Sequence, residues 1–221
     1  MQHLEKIDRA LMSTIITVLM LTVGIYFWDK QYFTFKFAAE DGFAEYGTAL
    51  ALLVGCLILI RNALSLKGRA APTLAVSLTF FYAVLFFFGA GEEISWGQRI
   101  FGWETSEAMK EINRQDETNL HNIEIGGVAL TKHLFGPVLT VVILLYLVVL
   151  PLLYPRVGWI SALADKFAVP VPGLRHAALA LIGSLVIAAI TVERKWEVYE
   201  LVFGLLIVSI FLLPQNREKV T

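Results

Sequence analysis

Charged residues and cysteines are scarce in this sequence, and several familiar catalytic motifs are missing. Only 17% of the 221 residues are charged, against roughly 25% in soluble domains. The single cysteine, Cys56, excludes an intramolecular disulfide and argues against a cysteine-based metal site. The chain has no Gly-x-x-x-x-Gly-Lys-Ser/Thr loop, no His-Glu-x-x-His and no Gly-x-Ser-x-Gly. The net charge of −1 gives no reason to expect nucleic acid as a partner.

Apolar residues, by contrast, make up 57% of the chain and are gathered into long blocks. A helix needs roughly 20 residues to cross about 30 Å of hydrocarbon, and backbone groups in lipid must be paired within their own segment. The blocks therefore predict an all-α integral membrane bundle of about six transmembrane helices, in a single domain 1–221. The predicted spans are 10–28, 43–60, 72–91, 134–154, 174–192 and 198–213.

The connections between these spans differ in length and in charge. Six spans put both termini on one side, the terminal side, whereas the long polar loop 92–133 lies on the other, the loop side. The terminal side carries ten Lys and Arg residues and the loop side eight, so the positive-inside rule predicts cytoplasmic termini and a non-cytoplasmic loop. Fifteen of the 19 Asp and Glu residues fall on the loop side. Acids contribute little to topology, so this asymmetry points to function.

All three loop-side connections place carboxylates at the membrane boundary. They come from the first connection, the end of the third span and the last hairpin: Glu40, Asp41, Glu45, Glu92, Glu93, Glu193, Glu197 and Glu200. Acids that converge at span ends predict a polar cavity on this side. An ordinary alternative is that helix N-termini stabilise some of these acids and that nearby cations, Arg99, Arg114, Arg194 and Lys195, pair with the others.

Glu92 and Glu93 are the strongest catalytic candidates, because the C-terminal end of a helix disfavours anions. If the helix continued beyond them, Glu92 and Arg99 would share a face and could simply form an ion pair. Glycines at 89, 91, 97 and 102 equally permit a broken helix around the acids. Both alternatives are open from the sequence.

His121 lies in the loop among residues with amide and carboxylate side chains. The neighbouring Gln115, Glu117, Asn119 and Asn122 supply oxygen ligands or orienting partners. A loop histidine is also often an ordinary hydrogen-bonding surface residue, so a site role and a surface role are both open.

Three runs of residues resemble the motifs of a known family. They are Glu40-Asp41-Gly42-x-x-Glu45, the run EEISWGQRIFG from Glu92 to Gly102, and Asn119-Leu120-His121-Asn122. Together they resemble an uncharacterised family of small bacterial multi-span membrane proteins. The resemblance implies a multi-pass protein of the bacterial cytoplasmic (inner) membrane, and it implies no particular activity.

The sequence thus predicts a carboxylate-rich site at the non-cytoplasmic face. The catalytic candidates are Glu45, Glu92, Glu93 and His121. The substrate-binding candidates are Trp96, Gln98, Arg99, Asn119, Asn122 and Glu200. A divalent cation such as Mg²⁺, Mn²⁺ or Ca²⁺ would suit Glu93, His121 and Asp41, because hard ions prefer oxygen ligands.

Such a site suits a metal-assisted hydrolase or transferase acting on a lipid or lipid-linked substrate. One alternative is an ion- or proton-coupled carrier in which the acids form a relay. Another is a non-catalytic subunit that docks a partner through the loop 92–133.

Overall fold

The computed structural model describes residues 2–113, 115–120, 122–125, 128–129 and 138–221. The described chain is helical, as predicted, apart from a two-residue antiparallel pairing of Glu124–Ile125 with Val128–Ala129 inside the long loop. We label the longer helices α1 to α7 and the short C-terminal helix α8. They are Gln2–Trp28 (α1), Phe43–Gly68 (α2), Thr73–Glu93 (α3), Leu139–Leu153 (α4), Gly158–Lys166 (α5), Leu174–Ala189 (α6), Lys195–Leu212 (α7) and Arg217–Val220 (α8).

Short helical turns lie in two loop-side connections, the one before α2 and the one after α3. The chain before α2 forms Lys30–Tyr32 and a π-helical turn Phe33–Phe37, and the chain after α3 forms Ser95–Gly97, Gln98–Phe101 and Glu107–Lys110. A second π-helical turn, Leu145–Val149, lies inside α4.

Three helices of the described chain, α1 to α3, are long and apolar enough to cross a membrane. The helices α4 and α6 are apolar but shorter, and α7 carries charged residues in its first two turns. The described chain therefore contains three candidate membrane-spanning helices, whereas the predicted count of six spans is not confirmed.

The predicted span limits differ from the helix limits in a systematic way. α1 begins eight residues before its apolar block, α2 continues to Gly68 beyond it, and α7 begins at Lys195. A hydropathy block marks only the part of a helix that suits lipid, and polar turns can extend the helix into the headgroups. α6 instead ends early, because Ile190 adopts an extended conformation. Residues 134–137 of the fourth predicted span lie outside the described residues.

The central helix is α7, which packs against α1, α2 and α6. Val198, Val202, Leu206 and Ile210 are completely buried along one face, at the spacing of four residues expected for a helix stripe. At Gly204 an added Cβ would lie only 3.0 Å from the Cβ of Ala51 in α2. Such small residues let two membrane helices approach closely. This close approach brings the loop-side ends of α2 and α7 together.

Candidate functional site

The chain breaks sharply after α3, so the alternative of a broken helix is confirmed. α3 ends at Glu93, and Ser95, Trp96 and Gly97 have φ angles of 46°, 55° and 80°. Side chains in this left-handed region cost of order 1–3 kcal/mol each, so the contacts of Ser95 and Trp96 must offset the strain. The turn separates Glu92 from Arg99, and each of them forms contacts with other residues.

Glu92 fastens the long loop to the end of α3. Its Oε1 accepts a hydrogen bond from Trp96 Nε1 (2.9 Å), and its Oε2 accepts one from the backbone N–H of Leu120 (2.6 Å). The indole of Trp96 covers Gly91, where an added Cβ would approach the ring to 2.8 Å. Glu92 is only 8% exposed, so both hydrogen bonds are largely shielded from solvent.

Asn119 is the centre of an amide network beneath the loop. Its Nδ2 donates to Ser95 Oγ (3.0 Å) and to Glu117 Oε2 (2.6 Å). Its Oδ1 accepts from Asn113 Nδ2 (3.0 Å) and from the backbone N–H of Asn122 (3.3 Å). This network joins the turn after α3 to both halves of the loop, and it offsets the strain at Ser95.

Gln98 also binds the loop. Its Oε1 accepts from the backbone N–H of Thr118 (2.9 Å), and its Nε2 donates to the carbonyl of Asp116 (3.4 Å). Thr105 Oγ1 donates to the same carbonyl (2.7 Å). The amides of Gln98, Asn119 and Asn122 thus position the loop, and a substrate-binding role for them stays a prediction.

Two arginines neutralise acids at this end of the bundle. Arg99 binds the carboxylates of Asp41 and Glu117. Arg194 binds Glu40 (2.8 Å) and Glu197 (3.5 Å). Partial burial lowers the pKa of Arg99. The hydrogen bond to Asp41 and the charge of Glu117 raise this pKa by a larger amount, so the pKa of Arg99 lies above its ordinary value. For Asp41, Glu40 and Glu197, the alternative that nearby cations pair with these acids is therefore confirmed.

Further acids lie at the loop-side ends of three helices, in a group that we call the carboxylate cluster. Glu45 is in α2, Glu93 ends α3, and Glu200 follows the Arg194-bound Glu197 by one turn in α7. α2 packs against both α3 and α7. Glu45 lies in the first turn of α2, and its Oε2 accepts from the backbone N–H of Asp41 (2.7 Å). Glu45 and Glu93 are half-buried, and Glu200 is exposed. Within the described chain, no Lys or Arg forms a salt bridge with Glu45 or Glu200.

Among the residues that the structure describes, no three His, Cys, Asp or Glu side chains are placed to hold a metal ion. The predicted ligand His121 lies outside the described residues, as do Arg114 and His133. The predicted ligand set of Glu93, His121 and Asp41 therefore stays a prediction. Asp41 is already bound to Arg99.

The structure also reveals a buried polar cluster at the terminal side that the sequence reasoning did not find. Arg175 Nε lies 3.2 Å from Asp8 Oδ2, and Ser209 Oγ donates to Asp8 Oδ1. His176 Nε2 lies 2.8 Å from Ser209 Oγ, and His176 Nδ1 accepts from the backbone N–H of Gly173 (2.8 Å). The sequence does contain a signal for this cluster, because each of these polar residues stands within or beside an apolar block.

The order of groups in this cluster differs from that of a hydrolase triad. Because Nδ1 of His176 accepts a hydrogen bond, Nε2 of the neutral ring carries the proton and donates it to Ser209. Ser209 thus lies between the imidazole and Asp8, whereas in a triad the imidazole lies between the serine and the carboxylate. His176 and Ser209 are completely buried. The cluster therefore fastens α1, α6 and α7 together and offers no accessible nucleophile.

Comparisons with known proteins identified no relative of this chain. No protein-family model matches the chain, and no curated protein or solved structure matches it. The site is therefore defined by the residues of this chain. It is a group of carboxylates at the loop-side ends of α2, α3 and α7, beside a loop that Glu92 holds to the end of α3.

Proposed function

We propose that the protein is an integral membrane enzyme, a hydrolase or transferase whose active site is this carboxylate cluster. The observation that carries the proposal is that acids lie at the loop-side ends of three packed helices. Glu45 lies in the first turn of α2, Glu93 ends α3, and Glu200 lies in the second turn of α7, and α2 packs against both α3 and α7. Acids that gather at the edge of a membrane are functional candidates by default, because a low-dielectric boundary makes their mutual repulsion costly.

A bound cation would offset this repulsion. Arg194 pairs with Glu197 of the cluster and with Glu40, and Arg99 pairs with Asp41 and Glu117. Lys195 donates to the carbonyl of Ile190 (2.7 Å). Among the described residues, no Lys or Arg forms a salt bridge with Glu45 or Glu200. We therefore assign the cluster a divalent cation such as Mg²⁺, Mn²⁺ or Ca²⁺, which favours oxygen ligands. The ligands proposed are Glu93, His121 and one acid near the start of α2.

The choice among the acids near α2 follows from their partners. Glu40 binds Arg194 and Asp41 binds Arg99, whereas Glu45 accepts only a backbone hydrogen bond among its described contacts. A carboxylate engaged by a guanidinium is a poorer ligand, because the metal would have to displace that partner. Glu45 is therefore favoured over Asp41 as the third ligand.

His121 is the remaining residue of the proposed active site. Its sequence neighbours support this role, since Leu120 bonds to Glu92 and Asn122 bonds to Asn119 and to Glu117. The cation would polarise a phosphate or ester oxygen, and His121 or a glutamate would transfer the proton.

The position of the cluster indicates its substrate class. Ile100, Phe101 and Trp103 are exposed apolar side chains in the chain that follows α3, and such side chains favour the membrane interface. A lipid, or a substrate linked to a lipid, would place its phosphate or ester group at the membrane interface. We further propose the bacterial inner membrane, with cytoplasmic termini, and membership of the family that the three motifs resemble.

The test uses the purified full-length protein and two glutamine variants, Glu45→Gln and Glu200→Gln. Glu104→Gln is the matched control, because Glu104 is an exposed acid in the loop 92–133 and lies outside the carboxylate cluster. Metal content is measured by elemental analysis, and activity as phosphate release from phosphorylated lipids and fatty-acid release from ester lipids. At a metal concentration of 100 Kd the ion should stabilise the wild type and the control by about 2.7 kcal/mol.

We expect both activity and metal stabilisation to fall in the two cluster variants and to persist in the control. If the active protein contains no stoichiometric metal, the cation assignment is overturned. Full activity in both cluster variants would overturn the enzyme assignment.

A further inference from the structure

A polar pocket lies on the terminal side, at the opposite end of the bundle from the carboxylate cluster. Its volume is about 780 Å³, which is within the range of about 300–1,000 Å³ typical of ligand pockets. The pocket lies between Arg69 at the end of α2, Tyr154 at the end of α4 and the segment 215–221. The proposed enzyme does not use it.

Cationic side chains dominate the described lining of this pocket. Arg69, Arg217 and Lys219 line it together with one acidic residue, Glu218. Arg69 donates to the backbone carbonyls of Glu218 (3.4 Å) and Thr221 and so holds the C-terminal segment. Arg217 and Lys219 take part in none of the salt bridges among the described residues. Their charges are therefore available to an anion.

The segment that carries these two cations is held in place. The backbone N–H of Gln215 donates to the carbonyl of Val171 (2.7 Å), and Asn216 Oδ1 accepts from the N–H of Val171 (2.9 Å). Val220 is 1% exposed and packs with Ala75 and Ala168. Arg217 and Lys219 are thus presented from a fixed backbone, which lowers the entropy lost when a ligand binds.

The neighbouring helix α5 indicates the depth of the pocket in the membrane. Its Asp165 accepts hydrogen bonds from Tyr154 (3.0 Å) and Asn216 (3.0 Å), two residues that line the pocket. Trp159 and Leu163, four residues apart on α5, are 69% and 49% exposed. A short helix with an outward apolar stripe is suited to the plane of the membrane interface. In that position α5 would place the pocket wall level with the lipid headgroups.

We infer that this pocket binds the phosphate group of an anionic membrane lipid. Phosphate oxygens match the guanidinium of Arg217 and the ammonium of Lys219, because charge-assisted hydrogen bonds to phosphate are strong. Basic pockets at the ends of membrane helices are a recognised form of lipid headgroup site. A lipid is favoured over free phosphate because α5 sets the pocket at headgroup depth.

The experiment measures the melting temperature of the full-length protein in neutral detergent. The probes are short-chain phosphatidylglycerol, short-chain phosphatidylcholine and inorganic phosphate, each titrated separately. The pocket variant is Arg217→Gln/Lys219→Gln. The matched control is Lys6→Gln/Lys67→Gln, which removes the same charge from exposed terminal-side lysines outside the pocket.

Phosphatidylglycerol should raise the melting temperature of the wild type and the control, and phosphatidylcholine should not. The pocket variant should bind phosphatidylglycerol about 30-fold more weakly, at about fivefold per cation removed. An equal loss in the control, or no loss in the pocket variant, would overturn the site. An equal shift with phosphatidylcholine would overturn the anionic headgroup, and an equal shift with inorganic phosphate would assign the pocket to a free anion. If the double variant does not fold, the single variants Arg217→Gln and Lys219→Gln must each show about fivefold weaker binding.

Discussion

Replacing Glu92 with glutamine should loosen the attachment of the long loop to the end of α3. In the wild type both carboxylate oxygens accept from N–H groups, one on Trp96 and one on the backbone of Leu120. The glutamine amide keeps one acceptor and turns an NH₂ donor toward the other N–H. The variant thus loses one hydrogen bond and places two donors face to face, with almost no change in volume.

The size of the effect follows from the bond that is lost. A hydrogen bond to a charged group contributes about 1.5–3 kcal/mol, and a buried donor without an acceptor costs a similar amount. We expect the free energy of opening the loop to fall by about 2–3 kcal/mol, which corresponds to a rise of about 30- to 150-fold in amide exchange at Leu120. α3 itself should keep its protection, because its own backbone hydrogen bonds are unchanged.

Hydrogen–deuterium exchange on the purified protein provides the measurement. Peptides that cover residues 115–124 report on the loop, and peptides from α3 report on the bundle. Trp96→Phe is an informative second variant, because it removes the indole donor and leaves the bond to Leu120. It should therefore affect Leu120 less than Glu92→Gln does. Unchanged exchange at Leu120 in Glu92→Gln would refute the assignment of Glu92 as the fastening residue.

Three further predictions concern topology and packing. In a cysteine-free background, Thr118→Cys should react with an impermeant thiol reagent added to intact cells, and Ser65→Cys should not; the reverse pattern would invert the proposed orientation. Ser209→Ala should lower the free energy of unfolding by about 1–3 kcal/mol, because it removes the hydroxyl that links the buried histidine and aspartate; an unchanged melting temperature would contradict this. Gly91→Ala should cost about 1–3 kcal/mol, because the new Cβ forces the indole away. The control Gly24→Ala, where an added Cβ meets nothing within 4 Å, should melt at or above the wild-type temperature.

The membrane class could be predicted because hydropathy is a local property of the chain. Long uncharged blocks cannot be left in water without a large loss of hydrophobic free energy, so they must be buried in lipid or protein. The ends of the helices could not be predicted in this way. Backbone hydrogen bonding continues beyond the apolar block in α1 and α2, and only the structure shows where it ends.

The candidate site was predictable in its residue types but not in its pairings. The density of acids at the loop side and the glycines around Glu92 indicated a polar, broken helix end. The partner of Arg99 was not predictable, because Asp41 lies 58 positions away in the sequence and the nearer Glu92 was an equally reasonable partner. The turn at Ser95 and Trp96 decided between them by directing Arg99 away from Glu92.

The sequence by itself determined that this chain is helical and that it contains segments apolar enough to cross a membrane. These properties follow from composition and spacing along a single segment, which any fold of the chain would share. Tertiary structure alone decided which polar groups meet. Ser209 reaches Asp8 across 201 positions. The helix ends that carry Glu45, Glu93 and Glu200 are brought together because α2 packs against both α3 and α7, with a small-residue crossing at Gly204. Such contacts depend on the relative placement of helices, and that placement is set by the packing of all of them at once.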